Sequence, residues 1–438
     1  MSSQDNLSKT VLNEVHRAHG ATMVDFGGWD MPVRYPEGDI TAHLATRKNA
    51  GLFDVSHMGR FLFSGNGAVP LLQHALTNNA YALLEPGMAQ YSIIQGHDGT
   101  AVDDAYLYRI GPDKHLLVVN ASNRIKDWNH LSAFFSHFGV TTARDISEEM
   151  AMLSLQGPKS EMILEEILSE RNNSGKLPEN KKNRISSVKL SGEESHLSRT
   201  GYTGEPVGFE IFLPSNIAVG FWEHILEVGE KHGVLPIGLG VRDTLRLEAA
   251  YPLYGHELGL DTSKTPIPLL ALPLGRAATR FDDGKGDYLG KRILLQQYDE
   301  VSEVLRRNGA YDRKPEDRLV KKLVWPLAVL NKDGNGPDNN PIRGGMEVYK
   351  DGKLIGWVTS GTVVPYWKFE GEGFLSRISQ ESGKRAIGIA YVNSDVHPGD
   401  LGIHVDVKKG NGFVPAMLVK DNLRAAPPYA RHVLHPER

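Results

Sequence analysis

The sequence contains no cysteine. That absence excludes disulfide bonds, thiolate catalysis, cysteine-ligated zinc and iron–sulfur clusters. Long apolar runs are also missing: none reaches the roughly 18 residues that a membrane-spanning helix needs, so nothing is predicted to cross a membrane. The first residues, Met1–Asn6, show neither a signal-peptide pattern nor an arginine-rich transit pattern. We therefore expect a cytoplasmic protein.

An excess of charge of one sign is lacking as well. Lys and Arg together number 49 and Asp and Glu 53, which gives a formal net charge of −4. Such a balance offers no basic surface for nucleic acid, and we expect none as a partner. The 438 residues are too many for one ordinary hydrophobic core, so the length predicts two or three domains.

Residues 97–120 form the most informative stretch. Asp98-Gly99 is a tight-turn pair, because glycine tolerates positive φ and aspartate can bond its own turn backbone. Apolar and aromatic runs at 91–94, 105–108 and 115–119 are typical of strands. Together they predict a β-meander that carries two adjacent carboxylates, Asp103 and Asp104.

Neighbouring side chains of a strand point to opposite faces. One aspartate of the doublet can therefore face an interior lined by Tyr91, where a carboxylate is a candidate proton handler or cation partner. The alternative is that both aspartates simply end a hairpin. Asn120 follows the third strand, where its amide can cap a helix, which is the more common role, or bind a ligand.

A second informative stretch is Arg199–Pro214. Its glycines and proline predict a defined loop that presents Tyr202 and Glu205 before a strand with Glu210. Taken alone, a glutamate flanked by apolar residues is more often solvent-facing than functional.

The next helix carries two arginines on one face, Arg242 and Arg246. Beside Glu210, an arginine would suit a flat heterocycle or a carboxylate. The alternative is a helical salt bridge such as Asp243 with Arg246, which would contribute little. His57 lacks partners at metal-ligand spacing and Met58 suits a core, so we expect no metal site.

From Leu323 onward the pattern changes to short strands separated by turns such as Lys350-Asp-Gly-Lys. This pattern predicts an all-β, barrel-like carboxy-terminal domain. The charged stretch 296–320 predicts a helix and a solvated loop, and it is the best candidate for a domain linker. The residues themselves thus indicate a multidomain α+β protein with a polar and aromatic site.

A set of segments in fixed order carries a family resemblance. They are MVDFGGWDMPV at 23–33, LFDVSHM at 52–58, Asp103-Asp104, LQGP at 155–158, TGYTGE at 200–205, RDTLRLE at 242–248 and VTSG at 358–361. Together they strongly resemble the aminomethyltransferases, the T-proteins of the glycine cleavage system, over residues 10 to 425. Folate-dependent demethylases share the same scaffold.

The resemblance implies an α+β fold, a three-domain cloverleaf with tetrahydrofolate in a central cavity. Its first domain would comprise residues 1–55 and 146–255, and its second residues 56–145 and 256–305. The carboxy-terminal barrel would comprise residues 320–438.

The resemblance also implies roles for individual residues. Asp104 matches the family's catalytic aspartate, with Asp103 left open as the alternative within the doublet. Glu210 and Arg242 match pterin-binding positions. The other implied folate contacts are Tyr91, Asn120 and Tyr202 in the cavity wall, Met58 near the one-carbon unit and Tyr429 near the carboxy terminus.

The implied reaction transfers the one-carbon unit of an aminomethyl-lipoyl H-protein to tetrahydrofolate. A demethylase acting on a small O-, S- or N-methyl compound is the alternative. It is favoured by departures from the family pattern: Arg276, Pro206-Val207 and the long loops at 171–184 and 306–341. Non-catalytic folate-binding modules of the superfamily typically carry a cysteine signature, which this chain lacks.

Overall fold

The computed structural model describes residues 6–306, 313–334, 336–371, 377–407 and 412–423. Within these ranges the chain mixes helices and strands, and a closed β-barrel forms its carboxy-terminal part, as the sequence predicted. No helix of the described residues is long and apolar enough to cross a membrane. Tyr429, the implied carboxy-terminal folate contact, lies outside the described residues.

The helices of the described ranges are mostly short. They are α1 (Asn13–Ala18), α2 (Asp39–Lys48), α3 (Ala68–Ala75), α4 (Arg124–Ser132), α5 (Phe135–Phe138), α6 (Ser160–Leu168), α7 (Ser215–Glu230), α8 (Leu239–Glu248), α9 (Pro273–Ala278) and α10 (Lys291–Arg306). The stretch after Asn123 forms two consecutive helices, α4 and α5.

The strands of the same ranges fall into several sheets. They are β1 (Thr22–Phe26), β2 (Trp29–Arg34), β3 (Ala50–Asp54), β4 (Gly59–Ser64), β5 (Ala89–Gln95), β6 (Ala101–Arg109), β7 (Lys114–Val119), β8 (Thr142–Asp145), β9 (Met150–Gln156), β10 (Ser174–Gly175), β11 (Ile185–Leu190), β12 (Glu193–Ser198), β13 (Gly208–Pro214), β14 (Val234–Pro236), β15 (Lys322–Val329), β16 (Glu347–Lys350), β17 (Lys353–Glu370), β18 (Arg377–Asn393), β19 (Ile403–Asp406) and β20 (Phe413–Leu418).

The chain divides into two compact units. The first comprises the chain up to Gln95, Val102–Asp243 and Thr279–Leu289. The second comprises Gly96–Ala101, Thr244–Ala278 and the chain from Gly290 onward. Every site residue named in the sequence analysis that the structure describes, from Met58 to Arg242, belongs to the first unit.

One sheet of the first unit has the strand order β10-β11-β12-β13-β9-β3-β14. In β13, alternate residues Phe209, Ile211 and Leu213 are fully buried in a core that includes residues of α6 and α7. Phe212, on the opposite face, is fully buried too and meets the ring of Tyr108 edge-on at 5.2 Å. Because both faces of β13 are covered, Glu210 is not the solvent-facing residue that its local pattern favours.

The other large sheet of this unit has the order β5-β6-β7-β4-β8 and contains the predicted meander. Alternation along β6 sends Ala105 and Leu107 into a core with residues of α3 and α4. Asp103 shares that buried face. Asp104, Tyr106 and Tyr108 lie on the opposite one. The doublet therefore lies within a strand and does not end a hairpin.

The second unit contains the closed barrel β15-β18-β17-β16-β19-β20. Buried ion pairs lie within this unit: Arg246 Nη1 is 3.1 Å from Glu257 Oε2, and Arg385 Nη2 is 2.8 Å from Glu248 Oε1. Arg246 is almost fully buried, so it is a core residue rather than part of an exposed helical salt bridge.

The helix predicted before the barrel is α10. It buries Leu294, Val301 and Val304.

A buried polar cluster holds the segment that leads from β3 to Met58. Asp54 accepts hydrogen bonds from Thr10 Oγ1 at 2.7 Å and from the Ser56 amide at 2.8 Å, and its Oδ2 lies 3.0 Å from His16 Nε2. Burial alone would raise the pKa of Asp54, but His16, Thr10 and Ser56 hold it at about 2. The carboxylate thus fixes the turn after β3.

We expect Asp54→Ala to destabilise the protein by about 3 kcal/mol or more at neutral pH, because it leaves buried donors without their acceptor. The Asp54 pKa is lowered on folding, so its stabilisation is present above about pH 4 and is lost as the pH falls toward 2. Urea unfolding across this pH range measures both effects. Asp113→Ala, in an exposed turn, is the control; equal stability of the two variants would contradict the prediction.

Candidate functional site

The register of β6 and β7 places the carboxylate doublet beside Asn120. Ala105 of β6 pairs with Val119 of the antiparallel strand β7. The next residues at this end of the two strands, Asp104 and Asn120, therefore lie beside each other. Asn120 Nδ2 donates to Asp104 Oδ1 at 2.8 Å, and the Tyr91 hydroxyl donates to Asp104 Oδ2 at 3.1 Å. Asn120 precedes a 3-10 turn, Ala121–Asn123, but its side chain makes no capping bond, so the expected capping role is wrong.

Asp103 has a different environment. It is fully buried and accepts bonds from the Asn120 amide at 2.9 Å, from Asn120 Nδ2 at 2.9 Å and from Asn123 Nδ2 at 2.7 Å. The oxygens of the Asp103 carboxyl group are thus already hydrogen-bonded to other residues of the protein. Asp104 is only half-buried and lies on the face that carries the tyrosines. The geometry therefore favours Asp104 as the aspartate of the doublet that can meet a ligand.

Burial and the neighbouring charge change the protonation of Asp104. Burial, followed by the charge of Asp103, raises the pKa of Asp104 to about 7, against the hydrogen bonds from Asn120 and Tyr91. A carboxyl group with a pKa near neutrality can hold or release a proton at working pH, which is what proton transfer requires.

A row of tyrosines leads from Asp104 toward Glu210. The ring centroids of Tyr91 and Tyr106 are 6.2 Å apart, and those of Tyr106 and Tyr108 are 5.2 Å apart. The Tyr108 hydroxyl then donates to Glu210 Oε2 at 2.8 Å. These aromatic faces lie between the two carboxylates.

Glu210 is held by hydroxyl groups. Tyr108 and Thr200 both donate to its Oε2, which compensates part of the cost of burying a charged group. Burial raises the pKa of Glu210, while Thr200, Tyr108 and the positive charge of Arg242 oppose that rise.

Arg242 contributes the positive charge of the site. Its guanidinium lies over the ring of Tyr202, with Cζ 4.6 Å from the centroid, and its Nη2 is 4.0 Å from the sulfur of Met58. Burial and the charge of Arg242 lower the pKa of nearby His57 to about 3, so this buried imidazole is neutral at pH 7. Arg242, Tyr202 and Met58 thus lie together.

Gln156 at the end of β9 supports the loop that carries Tyr202. Its Nε2 donates to the Thr200 carbonyl at 3.1 Å, and its Oε1 accepts from Thr203 Oγ1 at 2.9 Å. A Cβ at Gly201 would lie 2.1 Å from Oε1 and one at Gly208 would lie 2.4 Å from it, so a side chain at either position would force the Gln156 amide out of its hydrogen bonds.

The same loop is tied by Glu205, which accepts from Arg47 Nη1 at 2.5 Å in a buried ion pair. Arg47 Nη1 also donates to the Thr203 carbonyl at 2.8 Å. Glu205 is thus engaged in holding the loop.

Sequence reasoning missed the residues that complete the site. Tyr106 and Tyr108 share a face with Asp104 because they follow it at intervals of two, and this period was readable in the sequence. Thr200 and Gln156 lie inside recognised motifs, but their contacts with Glu210 and the loop depend on pairing between distant strands.

The arrangement combines two kinds of chemistry. At one end, Asp104 can handle a proton or stabilise a developing positive charge. At the other, a carboxylate and a guanidinium offer an acceptor and a donor to one flat polar molecule, with aromatic rings beside them.

Comparison with known proteins gives consistent matches. The family model of the GCVT N-terminal domain matches residues 12–269. Curated proteins named aminomethyltransferase are similar along most of their length. The one from Deinococcus deserti is 40% identical over 82% of this chain and 86% of its own, and the one from Caldanaerobacter subterraneus is 37% identical over 96% of both.

A solved structure is similar as well. The glycine cleavage system aminomethyltransferase T from Bartonella henselae superposes with a TM-score of 0.71 at 27% identity, covering 98% of this chain and 99% of the other.

Proposed function

The chain belongs to the aminomethyltransferase family of the glycine cleavage system, and we propose from this that it transfers a one-carbon unit to tetrahydrofolate. The donor is the aminomethyl group on the lipoyl arm of an H-protein. The products are 5,10-methylenetetrahydrofolate and ammonia. The observation that carries the proposal is that one unit holds Asp104, whose pKa is raised to about 7, together with Glu210 and Arg242, whose charges act on each other.

Glu210 and Arg242 anchor the pterin. The 2-amino group and N3–H of a pterin are adjacent donors, which suit a carboxylate such as Glu210, and the neighbouring carbonyl oxygen suits a guanidinium. Both groups are held by other side chains, Glu210 by Tyr108 and Arg242 by Tyr202. Their role is orientation rather than acid–base chemistry.

Asp104 acts where the carbon is transferred. The carbon breaks its bonds to the lipoyl sulfur and to the amino nitrogen and forms bonds to N5 and N10 of the folate, so an iminium-like cation develops on the way. The protons that N5 and N10 lose end on the departing ammonia and on the lipoyl sulfur, which leaves as a thiol. An ionised Asp104, fixed by Asn120 and Tyr91, stabilises this cation and steers the proton. Met58, beside Arg242, lines the place where the carbon is held.

The demethylase alternative has less support. It rested partly on Arg276 as a contact for an anionic substrate, but Arg276 Nη1 donates to the backbone carbonyls of Leu270 at 2.9 Å and Ala271 at 3.3 Å. The curated relatives reported above are aminomethyltransferases. We retain the three-domain division at 1–55 with 146–255, 56–145 with 256–305, and 320–438, and a cytoplasmic location, as parts of the proposal.

One assay with two kinds of donor tests the reaction. Purified protein and tetrahydrofolate receive either aminomethylated H-protein or a panel of methylated small molecules. We expect methylenetetrahydrofolate and ammonia from H-protein only. Methyl-tetrahydrofolate from a small donor, without ammonia from H-protein, would replace this function with that of a demethylase.

Folate binding tests the anchors. We expect Glu210→Ala and Arg242→Ala each to weaken tetrahydrofolate binding roughly 10- to 150-fold, because a hydrogen bond to a charged group contributes about 1.5–3 kcal/mol. Isothermal calorimetry measures the affinity. Glu193→Ala and Arg171→Ala remove exposed charges of the same unit and serve as controls. Wild-type affinity in both anchor variants would refute the pterin site.

The role of Asp104 is tested by Asp104→Asn, which keeps the shape and removes the charge. We expect folate affinity to stay near wild type, while kcat falls by on the order of 10²- to 10⁴-fold. Steady-state kinetics with H-protein and calorimetry together measure this difference. Asp113→Asn, in the exposed turn after β6, is the control. A kcat within a few-fold of wild type would exclude Asp104 as the catalytic residue.

A further inference from the structure

A buried arginine follows the turn that carries Met58. Arg60 of β4 is fully buried, although burying a guanidinium is costly unless its donors find partners. Burial lowers the pKa of Arg60 to about 10, so the group still carries its charge at neutral pH. Arg60 has no part in the mechanism above, so its position needs a separate explanation.

The guanidinium of Arg60 binds backbone carbonyl groups. Its Nη1 donates to the carbonyl oxygen of Ser56 at 2.8 Å and to that of Met58, and its Nη2 donates to that of Ser147. These oxygens offset part of the cost of burying the cation. In return, Arg60 holds the backbone of two segments, one at residues 56–58 and one at Ser147.

Two of these bonds lie on either side of His57 and Met58. The Ser56 carbonyl belongs to the peptide group before His57, and the Met58 carbonyl belongs to the peptide group after Met58. The Met58 amide closes the same turn by donating to the Val55 carbonyl at 3.2 Å. Because peptide groups are planar, holding those on both sides also holds the direction of the Met58 Cα–Cβ bond.

The side chain of Met58 reaches the candidate site. Met58 is half-buried, and its sulfur lies 4.0 Å from Nη2 of Arg242, the proposed pterin anchor. A methionine side chain has three rotatable bonds, so the backbone has to define where it begins. A displaced turn would therefore move the thioether relative to a bound folate.

A second turn holds Arg60 from the other side. The Arg60 amide accepts no movement away from Ser147, since it donates to Ser147 Oγ at 2.8 Å, and the Arg60 carbonyl accepts from the Ile146 amide at 2.9 Å. Asp145 accepts from the Ser147 amide at 3.0 Å and from the Ser147 hydroxyl at 2.5 Å. Arg60 thus reaches back to Met58 from a backbone that is itself hydrogen-bonded.

We propose that Arg60 is a positioning residue for the one-carbon transfer, and that it holds the Met58 side chain beside Arg242 by binding the carbonyl groups on both sides of His57 and Met58. The link to catalysis rests on the proposed function, in which Met58 lines the place of the carbon. The placement of Met58 by Arg60 does not depend on that function. Misplacement of a reacting group by about 1 Å can slow a reaction by on the order of 10²-fold.

The first experiment follows Met58 without any assay of activity. Arg60→Lys keeps the positive charge, but a single ammonium nitrogen cannot occupy the positions of both guanidinium nitrogens. In protein with isotope-labelled methionine methyl groups, we expect the Met58 signal in the NMR spectrum to shift and broaden in Arg60→Lys. The signal is identified by its loss in Met58→Leu.

Arg109→Lys is the matched control. Arg109 of β6 is half-buried in the same unit and also donates to three backbone carbonyls, those of Leu83, Leu84 and Pro112, at 2.7–2.8 Å. Its loss should leave the Met58 signal in place. An unchanged Met58 signal in Arg60→Lys, or an equal change in Arg109→Lys, would overturn the proposal.

The second experiment measures the effect on the reaction. We expect Arg60→Lys to lower kcat with H-protein roughly 10- to 100-fold, because the carbon is held less accurately. Tetrahydrofolate affinity should stay near wild type, since Glu210 and Arg242 are unchanged. Expressing kcat per folate-binding site, counted by calorimetric titration, removes the effect of any unfolded fraction. Arg109→Lys should keep the wild-type kcat per site.

A double-mutant cycle shows whether Arg60 acts through Met58. In a chain that carries Met58→Ala, Arg60→Lys should have little further effect on kcat. Arg60→Gln, whose amide still donates to a carbonyl, replaces Arg60→Lys if that variant does not fold. Additive losses of kcat, or a wild-type kcat in the folded Arg60 variant, would overturn the proposal. Failure of wild type to produce methylenetetrahydrofolate would refute the proposed function and leave the NMR experiment intact.

Discussion

The candidate site depends on how the protein offsets the cost of burying negative charge. Removing a carboxylate from water is unfavourable by several kcal/mol unless hydrogen-bond donors or an opposite charge replace the solvent. Around Asp103 and Asp104 the donors are asparagine amides and a tyrosine hydroxyl, and around Glu210 they are hydroxyl groups. None of these donors carries a positive charge, so they stabilise the carboxyl groups without pairing them with a counter-ion.

Strand geometry places the two adjacent aspartates in different environments. Successive residues of β6 face opposite sides, so Asp103 enters a core with Ala105 and Leu107, while Asp104 joins Tyr106 and Tyr108. Asn120, on the neighbouring strand end, donates to both carboxyl groups and so connects them. A doublet that looks redundant in the sequence therefore separates into one fully buried acid and one half-buried acid.

Local patterns were enough to predict the meander, the loop before β13 and the barrel, because turn residues and strand periodicity can be recognised within a few consecutive residues. The burial of Glu210 was not predictable in this way. It follows from the cover that Tyr108 and Phe212 provide across two sheets. The partner of Arg246 was predicted wrongly for the same reason, since Glu257 lies outside its helix. The proposed roles of Glu210 and Arg242 came from the family resemblance, because contacts between residues that are distant in sequence cannot be inferred from local patterns.

The packing around Gln156 also constrains how this protein can change over evolutionary time. The amide of Gln156 fills the space in which side chains at Gly201 and Gly208 would begin. It donates to the backbone of Thr200 and accepts from the Thr203 hydroxyl in the loop between the two glycines. A larger residue at either glycine requires the Gln156 amide to move away, or a shorter residue at position 156, and both changes remove the bonds that hold the loop. We therefore expect the three positions to be epistatic, so that a substitution at one of them alters the effect of a substitution at another.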